Sequence, residues 1–567
     1  MSGALVRELE EVASETAVSL VAGPPGCGKT TYVSRQVEAA VNAGKSVLLA
    51  SLTKTAAKEL AGRDLPIEQQ RIGTLHAHAY RALGGATIAE SKAKEWNEWL
   101  VENGYPHAWR LSVARKLDVD DPMDEGVAET EVENNGAKTE GDLLLEAANV
   151  LRARAVPRQY WLVKTEVVRF ADTWDLWKEK AGYLDFTDLI ERCLHERVPP
   201  PVGFDVMFLD EAQDSSRLET MLALQWGGLG ERLVICGDMR QNIYEWRGSE
   251  PEVFLALDGL CREKRVLSQS YRVPGAVHAA AQAWASRLRL DIEAAYYPRL
   301  EEDGRVAIGS ADEGLPLLQA DRMMADVDAA TARGQTVMLL ATTRRLVDQY
   351  TSALRSAGLL FHNPYRLSAR HWNPIGETES GGSAAAQLVA FSRTDDRVWG
   401  AEARFWTAAE IAEWVKPLAA KGLFVRGAKG RLQGGEPMRA DQFADLVEDK
   451  TALRRMFSGD LAWYLSALTP AQKKAGRFDY PVAVADRHGI RKLTETPLIT
   501  VGTVHSVKGG ESSVVYVAPD LSRAGYGSWT DLESRDQVIR CMYVALTRAR
   551  ESLIVCRPSS MLSVDLL

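Results

Sequence analysis

The sequence predicts an α/β protein made of two parallel-sheet units, each interrupted by a mainly helical insertion. Three observations carry this. Short apolar runs at 17–22, 46–52, 205–210 and 232–236 each have a turn signal or a helical pattern beside them. A second set stands at 336–340, 498–501, 514–517 and 553–556. Between the members of each set lie stretches of helical periodicity, 86–184 and 366–490. Strands of a parallel sheet covered on both faces read as short continuous apolar runs. The expected division is therefore 1–85 with 185–270 as the first unit, around insertion 86–184. The second unit is 271–365 with 491–567, around insertion 366–490.

The chain has 567 residues, enough for several hydrophobic cores, and its 46% apolar and 26% charged residues suit a globular protein. No run of 18 apolar residues occurs, so no membrane helix is expected. Residues 1–15 are acidic and amphipathic, unlike a secretion signal, which points to the cytoplasm. The cysteines Cys27, Cys193, Cys236, Cys261, Cys541 and Cys556 are far apart and form no C-x-x-C pair. They read as free buried thiols rather than a zinc or iron–sulfur site. A net charge of −9 argues against a passive nucleic-acid coat, but not against a local basic groove. Residues 118–146 hold eleven acids and one lysine, and read as a solvated or disordered loop.

The first run leads into G-P-P-G-C-G-K-T, Gly23 to Thr30, followed by a helical stretch. Glycines such as Gly23, Gly26 and Gly28 let backbone N–H groups close around phosphates, and the helix N-terminus favours anions. Lys29 can reach the outer phosphates, the Thr30 hydroxyl can hold Mg²⁺, and Thr31 continues the cradle. The third run ends in D-E-A-Q-D, which supplies the carboxylates that such a loop needs. Asp210 suits Mg²⁺, mostly through water, and Glu211 suits orienting and deprotonating an attacking water.

With these in place, further blocks fall in a recognisable order. They are 50–60 (A-S-L-T-K-T-A-A-K-E-L), 73–78 (G-T-L-H-A-H), 184–189 (L-D-F-T-D-L) and 237–248 (G-D-M-R-Q-N-I-Y-E-W-R-G). Three more follow: 269–272 (Q-S-Y-R), 502–511 (G-T-V-H-S-V-K-G-G-E) and 543–550 (Y-V-A-L-T-R-A-R). In order and spacing the chain resembles the UvrD/Rep helicases of superfamily 1. The resemblance implies two RecA-like P-loop domains with ATP and Mg²⁺ between them and single-stranded DNA across their top. It implies an ATP hydrolase moving 3′ to 5′ and opening duplex at a single-strand/double-strand junction, with a protein loading partner as a possibility. By position, Gln241 would sense the γ-phosphate. Arg272 and Arg548 would approach it from the second unit, as a fixed guanidinium charge suits. Tyr271 would stack on adenine and Glu511 would bind the ribose. DNA contacts would come from Thr53, His76, Tyr244, Trp246, Arg247, Thr503 and His505, with Tyr244 and Trp246 as stacking faces.

Several positions depart from the family's pattern. No glutamine precedes Lys29, and Glu8 lies near the place of the usual adenine reader. Leu52 and Leu75 stand where aromatics are usual, and Gly510 replaces a bulkier apolar residue. Both insertions look small. Insertion 366–490 counts 18 Lys/Arg against 15 Asp/Glu, and its loop 421–435 has four basic residues and no acid. That loop is either a duplex-contacting surface or a solvated loop. Two other functions stay open: a translocase that strips proteins from single strands but unwinds weakly, and a nucleotide-gated DNA-binding component of a larger complex. An RNA track is a further alternative.

Overall fold

The computed structural model describes residues 3–13, 17–52, 62, 65–113, 138–292, 294–309, 320–366, 371–376, 382–435 and 437–567. Two six-stranded sheets form its frame. The first contains β1 (Val18–Ala22), β2 (Val47–Ser51), β3 (Ile72–Thr74), β4 (Val206–Asp210), β5 (Arg232–Gly237) and β6 (Glu263–Val266) in the order β3-β2-β4-β5-β1-β6. The second contains β7 (Arg305–Ile308), β8 (Val337–Ala341), β9 (Phe361–His362), β10 (Ile499–Thr503), β11 (Ser512–Val517) and β12 (Ala549–Val555) in the order β7-β12-β11-β8-β10-β9. Every strand pair in both sheets is parallel. The expected class, two RecA-like α/β units, is what the chain adopts.

The four apolar runs of the first half are β1, β2, β4 and β5, and all but the first residue of β5 are buried. The edge strands β3, β6, β7 and β9 carried no apolar run to find. The β6 sequence is Glu-Lys-Arg-Val and fully exposed, and β9 has two residues. Solvent on one side of an edge removes the demand for apolar side chains.

Helical segments interrupt each sheet, between β3 and β4 and between β9 and β10. The first has the helices Ala93–Glu102, Glu140–Ala153 and Thr165–Ala181 around its own core of Trp96, Trp109, Phe170, Trp174 and Trp177. Residues 140–146, read from composition as loop, open the second of these helices. Thr139 and Asp142 form a reciprocal capping box that offsets the acidic sequence. The rest of that acidic stretch, 118–137, lies outside the described residues. The second segment packs Phe391, Trp406, Trp414 and Tyr464 into a core continuous with one face of the second sheet. Its basic loop 421–435 includes the short helix Ala428–Gln433, and Lys429 donates to the Leu418 carbonyl.

The six cysteines are free thiols, four buried and two half-buried. Among the described residues no helix is long and apolar enough to cross a membrane.

Candidate nucleotide cleft and track

The phosphate loop joins β1 to the helix Lys29–Asn42. Gly26 and Gly28 have φ of 74° and 77°, conformations that side chains disfavour. A Cβ on Gly26 would also lie 2.4 Å from the Arg272 Cβ, so the loop meets the second unit only because it is bare there. Tyr271 N–H donates to the Gly26 carbonyl at 2.9 Å, and the Ser270 and Tyr296 hydroxyls both donate to the Pro25 carbonyl at 3.0 Å. Lys29 Nζ donates to the Gly23 carbonyl at 2.7 Å. Thr30 is half-buried and Thr31 exposed, both in the helix's first turn.

Asp210 closes β4 and pairs in register with Ser51. Glu211 follows with φ of 56°, a left-handed backbone that a side chain adopts only when its surroundings enforce it. Gln213 Nε2 donates to Glu211 at 2.5 Å, and its side-chain Oε1 accepts from Asp238 N–H at 3.0 Å. Burial opposes charge on Glu211. Lys29, Lys508, the Gln213 amide and Arg548 outweigh it and hold the carboxyl below its ordinary range. Lys508 from the second unit lies 3.8 Å from Glu211, pairs with Asp214, and donates to the Gln241 carbonyl at 2.9 Å. Burial pushes the Asp214 carboxyl up to about 6 in spite of that lysine.

Arg548 is 1% exposed, and its Nη2 donates to Gln241 Oε1 at 3.1 Å. Burial, then Arg272, lowers its pKa to about 9, which leaves it charged at neutral pH. Gln241 in turn donates to Asp238 at 2.8 Å. Lys29, Glu211, Gln241 and Arg548 thus share one polar cluster drawn from both sheets. Arg272 and Glu511 belong to it in a different way from their expected roles. Arg272 Nε donates to Glu511 at 2.5 Å and Arg550 to the other oxygen at 2.9 Å, so the carboxylate is held by two arginines. Tyr271 is 70% exposed above Gly28, open for a flat ring to stack on.

The cradle fits a nucleotide triphosphate with Mg²⁺. Among the described residues Ser51 Oγ, buried on the strand beside Asp210, has no hydrogen-bond partner, a polar spot with unmet capacity. Among the described residues no group of three or more His, Cys, Asp or Glu is arranged to hold a metal by itself. A metal here would depend on phosphate oxygens together with Thr30 and Asp210.

Of the expected track residues, Trp246 alone among the tryptophans is exposed, at 37%. It borders a cavity of about 200 Å³ at the carboxyl ends of the first sheet, which Leu52, His76, Glu90, Phe186 and Arg247 also line. His76 lies 3.4 Å from Glu219 and edge-on to Phe186. Thr503 ends β10, its hydroxyl accepting from Ser506 N–H.

One expected track contact is corrected, and a second, His505, is half-buried with its ring nitrogen engaged at the seam. Tyr244 is 2% exposed and cannot offer a face to a base. Ile243 and Tyr244 are buried in the second sheet's core, where Lys508 covers the tyrosine ring at 5.1 Å. His505 Nε2 is 3.2 Å from the Ile243 carbonyl, and burial lowers its pKa to about 4. Both residues serve the seam between the sheets. Thr53 lies outside the described residues.

The departures also find reasons. Glu8 pairs with Arg217 and so is engaged away from any base. Leu75 is a core residue at 1% exposure. A Cβ on Gly510 would lie 2.5 Å from the Tyr365 hydroxyl, so glycine there makes room for that ring. Lys508 and Asp214 were not singled out from the sequence. Lys508 stands inside the 502–511 block, and its place in that block was the available signal.

Fold and cleft define a two-sheet P-loop nucleotide-binding protein whose site takes residues from both units. Residues 6–261 match the family model of the UvrD/REP helicase N-terminal domain. The resemblance read from the motifs is thereby borne out. A segment of 109 residues is 36% identical to one of the subunits of an ATP-dependent helicase/nuclease from Geobacillus kaustophilus, covering 16% of this chain and 9% of that protein. Another of 98 residues is 35% identical to the ATP-dependent DNA helicase PcrA of Bacillus subtilis, covering 16% and 13%. The chain therefore spans about a tenth of the length of the curated relatives it matches.

Proposed function

We propose that this chain is an ATP-driven motor on single-stranded DNA that moves 3′ to 5′ and unwinds duplex at a junction. The observation that carries the reading is the convergence of Lys29 and Glu211 from the first unit with Lys508 and Arg548 from the second. Arg548 reaches Gln241 at 3.1 Å, and Lys508 reaches Glu211 at 3.8 Å. A triphosphate placed on this loop would compete for Lys29, Arg548 and Arg272, and so would change what holds the units together. Only such differential contact can bias one conformation over another.

In the hydrolytic step, Glu211, charged because its cationic neighbours prevail, accepts a proton from water as that water attacks the γ-phosphorus. The bond to the β-phosphate oxygen breaks, and the leaving diphosphate takes the electron pair. Arg548, Arg272 and Lys29 offset the charge that develops on the phosphoryl oxygens. Mg²⁺, when bound by Thr30 and Asp210, would screen the phosphate charges. Tyr271 would stack on the base, with Gly23, Gly26, Gly28 and Thr31 shaping the cradle and Glu511 placed to meet the ribose once its arginines turn to phosphate. Trp246 would grip the strand by stacking, with Arg247, His76 and Thr503 beside it.

The test is the ATPase rate with and without single-stranded DNA, for the wild type and Glu211→Gln. Strong stimulation in the first and near-loss of turnover in the second are expected. An ATPase indifferent to DNA sinks the motor. A second reading, a translocase that displaces proteins but unwinds weakly, is favoured by one observation. With Leu52 aliphatic and Tyr244 buried, the grip rests on one exposed tryptophan. Strand-displacement and protein-displacement assays run side by side separate the two.

A further inference from the structure

The turn that carries Trp246 is held from two other parts of the molecule. Glu245 Oε1 accepts from Arg540 Nη1 at 2.9 Å, and Oε2 accepts from Gln537 Nε2 at 2.9 Å. Both donors sit on the helix Arg535–Leu546, which covers the second sheet. The Glu245 backbone carbonyl accepts from Arg154 Nη2 at 3.1 Å, from the C-terminal cap of the insertion helix Glu140–Ala153. Gly248 ends the turn with φ of 103°, and a Cβ there would lie 2.7 Å from the Ala153 Cβ. The turn beside the tryptophan is therefore gripped between an insertion helix and a helix of the other unit.

The helix Arg535–Leu546 also leads to the nucleotide cluster. Arg548 lies two residues past its end, and its Nε donates back to the Val544 carbonyl at 2.9 Å. At 1.5 Å per residue, Arg540 stands about 9 Å along the helix from its last residue, Leu546, and Arg548 is tied to that end. Arg548 holds Gln241, and Arg540 holds the Glu245 carboxylate beside Trp246.

We infer that the Glu245 pairing with Arg540 and Gln537 is a coupling clamp that passes the state of the nucleotide cleft to the Trp246 turn. Glu245 does not line the cavity beside Trp246, and its carboxylate is taken up by Arg540 and Gln537, so it is a positioning residue. When Arg548 shifts towards phosphate, the helix shifts with it. Arg540 and Gln537 then carry Glu245, and with it the next residue in the chain. Arg540 is 1% exposed and Glu245 half-buried, so water offers the pair little replacement. Burial pushes the Glu245 carboxyl up and Arg540 opposes this, so removing the arginine would leave a carboxylate poorly housed.

This inference rests on the motor reading, and two measurements keep their failures apart. The first needs no DNA. Amide exchange over residues 244–248 is followed with and without a non-hydrolysable ATP analogue, in wild type, Glu245→Gln and Gln537→Ala. The analogue is expected to change exchange there in wild type and to lose that effect in both variants, with the thermal midpoint kept in Gln537→Ala. The second is the ratio of DNA-stimulated to DNA-free ATP hydrolysis, which should fall about fivefold or more in each variant, with little added in the double variant. An unchanged exchange response in the variants overturns the clamp, even where DNA stimulation is present. So does a parallel fall of midpoint and of both rates, since that marks a merely structural pair. A nucleotide response in exchange without any DNA stimulation sinks the motor reading and leaves the clamp standing.

Discussion

The seam between the two sheets and the seam between the first sheet and its insertion are both made of charge, yet they differ in what could replace their partners. Across the sheets, Arg548 meets Gln241, Lys508 meets Asp214, and Arg272, on the segment leaving the first sheet, meets Glu511. Each contact lies at the phosphate loop or carboxylate box, where phosphate oxygens could take over the cation. Against the insertion, Arg152 meets Asp185 at 2.8 Å and Asp188 at 2.6 Å, and Lys178 meets the same two carboxylates at 2.5 and 2.6 Å. Trp174 Nε1 adds a third donor to Asp185 at 2.9 Å. Asp185 is fully buried. Burial works against its charge, but Arg152 and Lys178 hold its carboxyl far below the ordinary range. Neither carboxylate lines the cavity beside Trp246. The first seam is built to be rearranged, and the second to stay.

The largest effect should come from breaking the rearrangeable seam at its centre. Arg548→Ala is expected to lower ATP turnover by about 10³-fold or more, as loss of an arginine on a transferring phosphoryl does. Without nucleotide it should also lower the thermal midpoint, because the buried arginine's partners lose their donor; calorimetry reads this separately from turnover. Single-turnover hydrolysis and calorimetry check the two halves. Turnover within tenfold of wild type would show that the cleft does not use this arginine.

Next comes the fixed seam. Asp185→Asn leaves Arg152 and Lys178 buried with less than their share of charge, so a loss of about 3–5 kcal/mol is expected. It should appear in chemical denaturation and as early proteolysis between residues 86 and 184. If stability falls by less than about 1 kcal/mol, the distinction between the seams fails.

Trp246→Ala should weaken single-stranded DNA binding by about 1–3 kcal/mol, read by fluorescence anisotropy at fixed salt, with DNA-free ATPase little changed. Equal loss from Tyr244→Phe would contradict its burial in the seam.

The smallest effect concerns pH. His505 has its pKa lowered to about 4 by burial, against about 6.5 when unfolded. Protons therefore bind the unfolded chain first as pH falls. The folded state loses stability progressively from about pH 6.5 down to 4, and nothing above that range. His505→Gln should flatten that part of the curve in a series of thermal melts. A wild-type curve with the same slope as the variant's would remove the histidine from the seam.

Much of this was legible along the chain, and the reason is local. A phosphate loop needs its glycines, lysine and threonine within eight consecutive residues, and Glu211 must follow directly on Asp210. The buried strands had to be apolar on both faces, so β1, β2, β4, β5, β8, β10, β11 and β12 stood out. Edge strands such as Glu-Lys-Arg-Val at β6 answer to no such demand. The acidic start of the helix Glu140–Ala153 misled because composition does not register a capping box. Tyr244 misled because its neighbours Glu245 and Arg247 look exposed, while the second sheet's core covers it from residues more than 25 positions away.

The sequence alone determined the two-sheet class, the phosphate loop, the carboxylate box and the arginines of the last block, since each follows from residue type at short spacing. Tertiary structure decided which charges meet. Whether Arg272 faces phosphate or Glu511, whether Tyr244 faces the track or the seam, and that Arg540 grips Glu245 from 295 residues away all depend on how two independently patterned units dock. Periodicity records which face of an element is buried. It carries no record of what lies opposite.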